Sequence, residues 1–199
     1  MKKICFLMII MVASISTMAQ TARSVLEKTS AALNSKVGIS ATFKLLNEGM
    51  GAIDGRICVK GQKVYANMPQ IELWFDGKTQ WVYMKETEEV NVNIPTQEEI
   101  QLINPYSFLN IYNKGFKYTM KDKAGSHEIH LISSDKKRAM SEMYITVSKT
   151  TYLPSEIRML QRGRWSIITI SKLEKENHAD NIFIFPKKKY PNAEIIDLR

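Results

Sequence analysis

From residue 37 onward, apolar and polar side chains alternate with a period of two in one short run after another. Val37, Ile39, Ala41, Phe43 and Leu45 alternate with Gly38, Ser40, Thr42 and Lys44. Ile53, Gly55, Ile57 and Val59 then alternate with Asp54, Arg56, Cys58 and Lys60. This spacing puts one face of an antiparallel strand on a core and the other toward water. Further runs occur at 64–68, 70–75, 79–84, 90–94, 116–120, 127–133, 143–147, 154–160, 165–172 and 181–185. Asp76-Gly77, set between two of them, is a strong hairpin signal.

Helical periodicity is confined to two places. Val25, Leu26, Thr29, Ala32 and Leu33 recur at helical spacing, predicting an amphipathic helix over 22–36. Thr96-Gln97-Glu98-Glu99 reads as a capping box, and Asn104-Pro105 opens a second short helix carrying Phe108, Leu109 and Tyr112. The fold expected is mainly β (α+β): a single curved antiparallel sheet of about 11 strands forming an unclosed half-barrel, with an N-terminal helix and a short helical lid. So many consecutive strands curl rather than stay flat, and no linker or repeat divides the chain.

The first residues stand apart. Met1-Lys2-Lys3 precedes the apolar run Ile4–Ala13, and Thr17-Met18-Ala19 puts small residues before a cleavage point. Residues 1–19 are therefore expected to be a cleaved signal peptide, with 20–199 as one exported domain. The formal charge of +8 falls to +6 on removal, because the segment holds two Lys and no carboxylate. Cys58 becomes the one remaining cysteine, which excludes an internal disulfide.

Chemistry-bearing motifs are sparse. His127 and His130 are three apart in a strand, so they face opposite ways and cannot share a metal; both are read as surface histidines. His178 lies alone in the 174–180 loop, and Cys58 has no evident base. Neither a nucleophile elbow nor a phosphate-binding glycine loop is present. No enzyme, metal or cofactor is expected. The runs Lys136-Lys137-Arg138 and Lys187-Lys188-Lys189 read as solvated loops, and without stacking aromatics no nucleic acid is expected. The alternating strands instead fit either a packed core or a cavity holding an acyl chain under the helical lid.

Asp76-Gly77-Lys78-Thr79-Gln80-Trp81-Val82-Tyr83 resembles the D-G-K-T-x-W-x-Y hairpin of LolA-type outer-membrane lipoprotein carriers. Gly55–Lys60 is similar to that family's G-x-h-x-h-K strand (h, hydrophobic), and Asn104–Leu109 to the start of its lid helix. Phe183-Ile184-Phe185-Pro186, with Ile195-Ile196-Asp197 after it, is similar to its ending. The resemblance implies a periplasmic carrier that takes acyl chains of lipoproteins from an inner-membrane ABC transporter to the outer membrane. The acceptor there is not legible, and a monomer is expected. An alternative on the same scaffold is a periplasmic binding protein or sensor for another lipid or amphiphile. By the resemblance, Tyr65 lines the cavity, Trp81 and Tyr83 are the hairpin aromatics, and Phe108 and Leu109 belong to the lid. Alternation alone adds Phe43, Ile57 and Val59 to the expected ligand-binding set. The best-known carriers place, directly after the strand's Lys, an Arg that ties the lid down; here Gly61 comes after Lys60.

Overall fold

Twelve strands form one sheet. A computed structural model describes residues 21–33, 37–49, 51–97, 99–100 and 115–199. Helix α1 (Ala22–Leu33) precedes β1 (Ile39–Asn47), β2 (Gly51–Lys60), β3 (Lys63–Asn67), β4 (Ile71–Phe75), β5 (Gln80–Met84) and β6 (Glu89–Asn93). Then come β7 (Phe116–Lys123), β8 (Ser126–Ser133), β9 (Met140–Ser148), β10 (Pro154–Gln161), β11 (Arg164–Lys175) and β12 (Glu194–Asp197). The spatial order is β12-β6-β5-β4-β3-β2-β1-β11-β10-β9-β8-β7. The two edges, β12 and β7, do not pair with each other, so the sheet stays unclosed.

Local chemistry accounts for the hairpins. Asp76 Oδ1 accepts the N–H groups of Lys78 at 2.8 Å and Thr79 at 2.7 Å, while Gly77 takes φ +101°. Between β10 and β11, Arg162 and Gly163 both have positive φ, at 48° and 79°, as a two-residue type I′ turn requires. The expected capping box forms: the Thr96 N–H donates to Glu99 Oε2 at 2.7 Å and the Glu99 N–H to Thr96 Oγ1 at 3.3 Å. The signal peptide, residues 34–36 of the expected first helix, and the lid-helix start Asn104–Leu109 lie outside the described residues.

Several expectations change. Among the described residues the strand count is twelve rather than about eleven, and one pairing is parallel: β12 beside β6, with Ile195 opposite Val90. That direction arises because the chain returns to this edge across a sheet face rather than through a hairpin. The run 181–185, expected as a strand, is instead a 3₁₀ turn over Asp180–Phe183, and Lys187–Lys189 forms another. Its alternation of Ile and Phe serves a segment packed on a sheet, not a member of it.

The two sheet faces have different coverings. On the inner face, Ile57, Val59, Val64 and Phe75 from one half join Ile129, Leu131, Ile145 and Ile157 from the other, together with Val25 and Leu26 of α1. A single cluster drawing on both halves requires a face that curves around it. On the outer face Trp74, Tyr83, Val90, Val92 and Phe185 form a separate cluster beneath the C-terminal segment.

Candidate functional site

The inner face is apolar beyond what α1 covers. Phe43, Met68, Leu73, Met120, Met159, Ile168 and Ile170 are half-buried and pack against the main core. Among them Ile170 faces Phe43 across β1–β11, and Ile168 faces the core residue Ile157 across β10–β11. Phe43 in turn faces Gly55 on β2. A Cβ on Gly55 would lie 2.5 Å from Phe43 Cζ, so the glycine is what lets this ring lie across the sheet. Three methionines on this face, Met68, Met120 and Met159, supply side chains that repack around a flexible apolar guest.

The eight residues expected to bind ligand do not share this surface. Phe43, Ile57 and Val59 are on the inner face, with Ile57 and Val59 buried in its core and Phe43 half-buried. Tyr65, Trp81 and Tyr83 are on the outer face, in the aromatic cluster. Ser40, Cys58, Tyr65, Trp74, Trp81 and Val92 form one row across six strands, and that row points away from α1. Phe108 and Leu109 lie outside the described residues.

The outer-face aromatics pack around a buried carboxylate. The Trp74 ring lies 5.3 Å from Phe185 and 5.9 Å from Tyr190, both edge-on, and Tyr83 lies 4.6 Å from Tyr190. Glu72 accepts the Tyr65 hydroxyl on Oε2 and the Tyr190 hydroxyl on Oε1, each at 2.9 Å. Burial first, then this carboxylate, holds both phenols above their ordinary range. The arrangement fastens the C-terminal segment to β3–β5.

Beside it, a pocket of about 670 Å³ separates β2–β4 from the same segment, lined in part by Arg56, Cys58, Tyr65 and His178. Four of its lining residues, Arg56, Cys58, Glu176 and His178, gather around Ser40. The Ser40 hydroxyl donates to Glu176 Oε2 at 2.5 Å and sits 2.9 Å from His178 Nε2 and 3.3 Å from Cys58 Sγ. Arg56 Nη2 donates to the same Glu176 oxygen at 2.8 Å. The Ser40 hydrogen bond, and then Arg56, keep the Glu176 carboxyl below its usual range. With the single Ser40 proton directed to a carboxylate, His178 serves as donor to the hydroxyl rather than as its base. Ser40 therefore joins β1 to the 176–178 stretch just beyond β11.

The histidines correct the sequence reading. His178 is 6% exposed, packs edge-on against Phe183, and sits where Gly38 leaves room, since a Cβ there would lie 2.8 Å from the ring. His127 is 4% exposed and paired with Asp122, not a surface side chain. His130 lies on the opposite face, stacked on Tyr144 and bonded to Glu142; the opposed facing was expected. Ser40, Glu72 and Tyr190 escaped notice because a polar residue at an alternating position normally faces water. The C-terminal segment, distant in sequence and carrying Tyr190 itself, covers Ser40 and Glu72. Among the described residues no group of three or more His, Cys, Asp and Glu converges as a metal site, and no helix is long and apolar enough to cross a membrane.

No curated protein matches the sequence. The fold is similar to a crystal structure of an uncharacterized conserved protein from Thermus thermophilus, 10% identical, with a TM-score of 0.59 over 88% of this chain and 98% of that one. A LolA superfamily protein from Nitrosomonas europaea is 12% identical, with a TM-score of 0.48 over 82% and 97% of the two chains. The family model described as outer membrane lipoprotein carrier protein LolA matches residues 12–163, from before α1 to the β10–β11 turn. With well over half of its 199 residues matched, the chain belongs to the LolA family of outer membrane lipoprotein carriers.

Proposed function

We propose that the protein is a periplasmic carrier, exported by a signal peptide over residues 1–19, that holds the acyl chains of lipoproteins against its inner face. The observation that carries this reading is the set of half-buried apolar side chains on the inner face, Phe43, Ile168, Ile170, Met120 and Met159 among them, in a LolA-family chain. Each methylene moved from water to such a surface gains about 0.8 kcal/mol. A chain of about ten methylenes would thus gain roughly 8 kcal/mol before ordering costs. Cargo is taken from an inner-membrane ABC transporter and carried, by a monomer, to the outer membrane. The work is binding rather than catalysis.

Two measurements test it. Native mass spectrometry of gently purified protein is expected to show a bound acyl species, and Ile170→Glu to abolish it. Depletion in the native host is expected to leave outer-membrane lipoproteins at the inner membrane. Normal sorting together with a bound free lipid would instead support the second reading, a binding protein for another amphiphile on the same scaffold. The adaptable methionines of the inner face are the observation that favours that alternative.

A further inference from the structure

Two loops distant in sequence meet at one end of the sheet. The β8–β9 loop carries Lys136, Lys137 and Arg138, and the β10–β11 turn carries Arg162, with Arg164 next to it. The Arg162 N–H donates to Ala139 O at 3.0 Å, joining the two loops. A hollow of about 660 Å³ opens between them and the β1–β2 turn, lined by Glu48, Glu99, Arg162, Arg164 and Trp165 among others. Glu99 belongs to the Thr96–Glu99 capping box, and Ser166, also lining the hollow, pairs with Met159 of the inner face. This end of the sheet therefore adjoins the inner face.

Acidic and basic groups at this rim are disposed differently. The carboxylates are turned onto nearby backbone: Asp135 Oδ1 accepts the Lys137 N–H at 2.9 Å, Glu99 caps Thr96, and Glu48 Oε2 accepts the Trp165 N–H at 3.4 Å. Lys136, Lys137, Arg162 and Arg164 are exposed, and none is paired with a carboxylate among the described residues. Two exposed aliphatics lie near the ends of strands that lead into this rim, Leu46 on β1 at 46% and Ile132 on β8 at 48%. Cations projecting beside exposed aliphatic side chains suit an anionic bilayer, where headgroup phosphates meet the charges and the aliphatics enter the interface. An acidic protein surface would leave Leu46 and Ile132 without an apolar partner layer.

We propose that this rim docks the protein on anionic phospholipid surfaces through Lys136, Lys137, Arg162 and Arg164, so that cargo passes between membrane and inner face over a short path. The proposal deepens the carrier reading and rests on it for the direction of transfer, while docking itself is measured without cargo. Near an anionic surface each Lys or Arg contributes about fivefold in binding, so loss of four predicts a drop of about six hundredfold.

The experiment is vesicle co-sedimentation of the full mature chain. Binding is expected to mixed phosphatidylethanolamine–phosphatidylglycerol vesicles and not to phosphatidylcholine vesicles, and to weaken as salt is raised. The variant Lys136→Gln, Lys137→Gln, Arg162→Gln, Arg164→Gln is expected to lose it. A control with the same charge change elsewhere, Lys172→Gln, Lys175→Gln, Lys187→Gln, Lys188→Gln, is expected to keep most of it. Absence of binding by the unmodified chain, retention by the rim variant, or equal loss in both variants would each overturn the proposal. Binding of a fluorescent acyl probe, measured without vesicles, is judged separately: its absence in the unmodified chain sinks the carrier reading and leaves the vesicle result standing.

Discussion

Lys60 Nζ and Asp180 Oδ1 lie 2.8 Å apart, joining the end of β2 to the start of the C-terminal 3₁₀ turn across 120 residues of sequence. Lys63 Nζ approaches the other oxygen at 2.7 Å, and Lys60 also donates to His178 O at 2.8 Å. The Lys that ends the family's strand motif thus secures the C-terminal segment in a chain where Gly61 takes the place of the family's lid-tying Arg.

The pair has a pH signature. Hydrogen bonds from Lys60 and Lys63 lower the Asp180 carboxyl to about 2 from its ordinary 3.8. A depressed carboxylate stabilises the fold fully above its unfolded value and loses that contribution as pH falls toward its folded one. The melting-temperature difference between the unmodified chain and Asp180→Asn is therefore expected to be steady above about pH 5 and to shrink from there toward pH 2. A difference that stays constant over that range would contradict the pairing.

Glu72 is the more consequential carboxylate, because it is buried. Truncation by Glu72→Ala leaves the Tyr65 and Tyr190 hydroxyls without their acceptor and is expected to cost about 2–4 kcal/mol in urea unfolding. Tyr190→Phe, which removes one donor, is expected to cost about 1–2 kcal/mol. If Glu72→Ala proves as mild as Tyr190→Phe, the shared acceptor is not what fastens this segment.

Gly55 sets the shape of the inner face. The methyl of Gly55→Ala must displace the Phe43 ring, with an expected cost of about 1–3 kcal/mol. Acyl-probe binding is expected to weaken with it, because Phe43 is one of the half-buried inner-face side chains. Unchanged probe affinity in a destabilised Gly55→Ala protein would place the guest elsewhere.

The core and the half-buried set are expected to separate in their readouts. Ile145→Ala, at a fully buried position, is expected to cost about 2–5 kcal/mol of stability. Ile168→Asp, at a half-buried inner-face position, is expected to eliminate probe binding at a smaller cost in unfolding free energy. Probe binding that survives Ile168→Asp would remove the half-buried set from the site.

Much of this molecule was legible as a string of residues. Alternation located β1 to β11 but misassigned 181–185, Asp76-Gly77 and the Thr96–Glu99 box located a turn and a helix start, and the hairpin motif pointed to the family. The same alternation put Ile57 and Arg56 on opposite faces, as the structure has them. Period two divides a strand's side chains into two sets with certainty, yet it is symmetric and does not say which set looks inward. That was decided by the curl of the sheet around α1, which drew Phe43, Ile57 and Val59 inside, and by the C-terminal segment, which covered Tyr65, Trp81 and Tyr83 on the other side. The burial of Ser40, Glu72 and His178 was settled the same way. Their partners are brought in by a segment whose strand, β12, joins the sheet only after the chain has crossed its outer face, and no local pattern encodes a contact between residues so far apart in the chain.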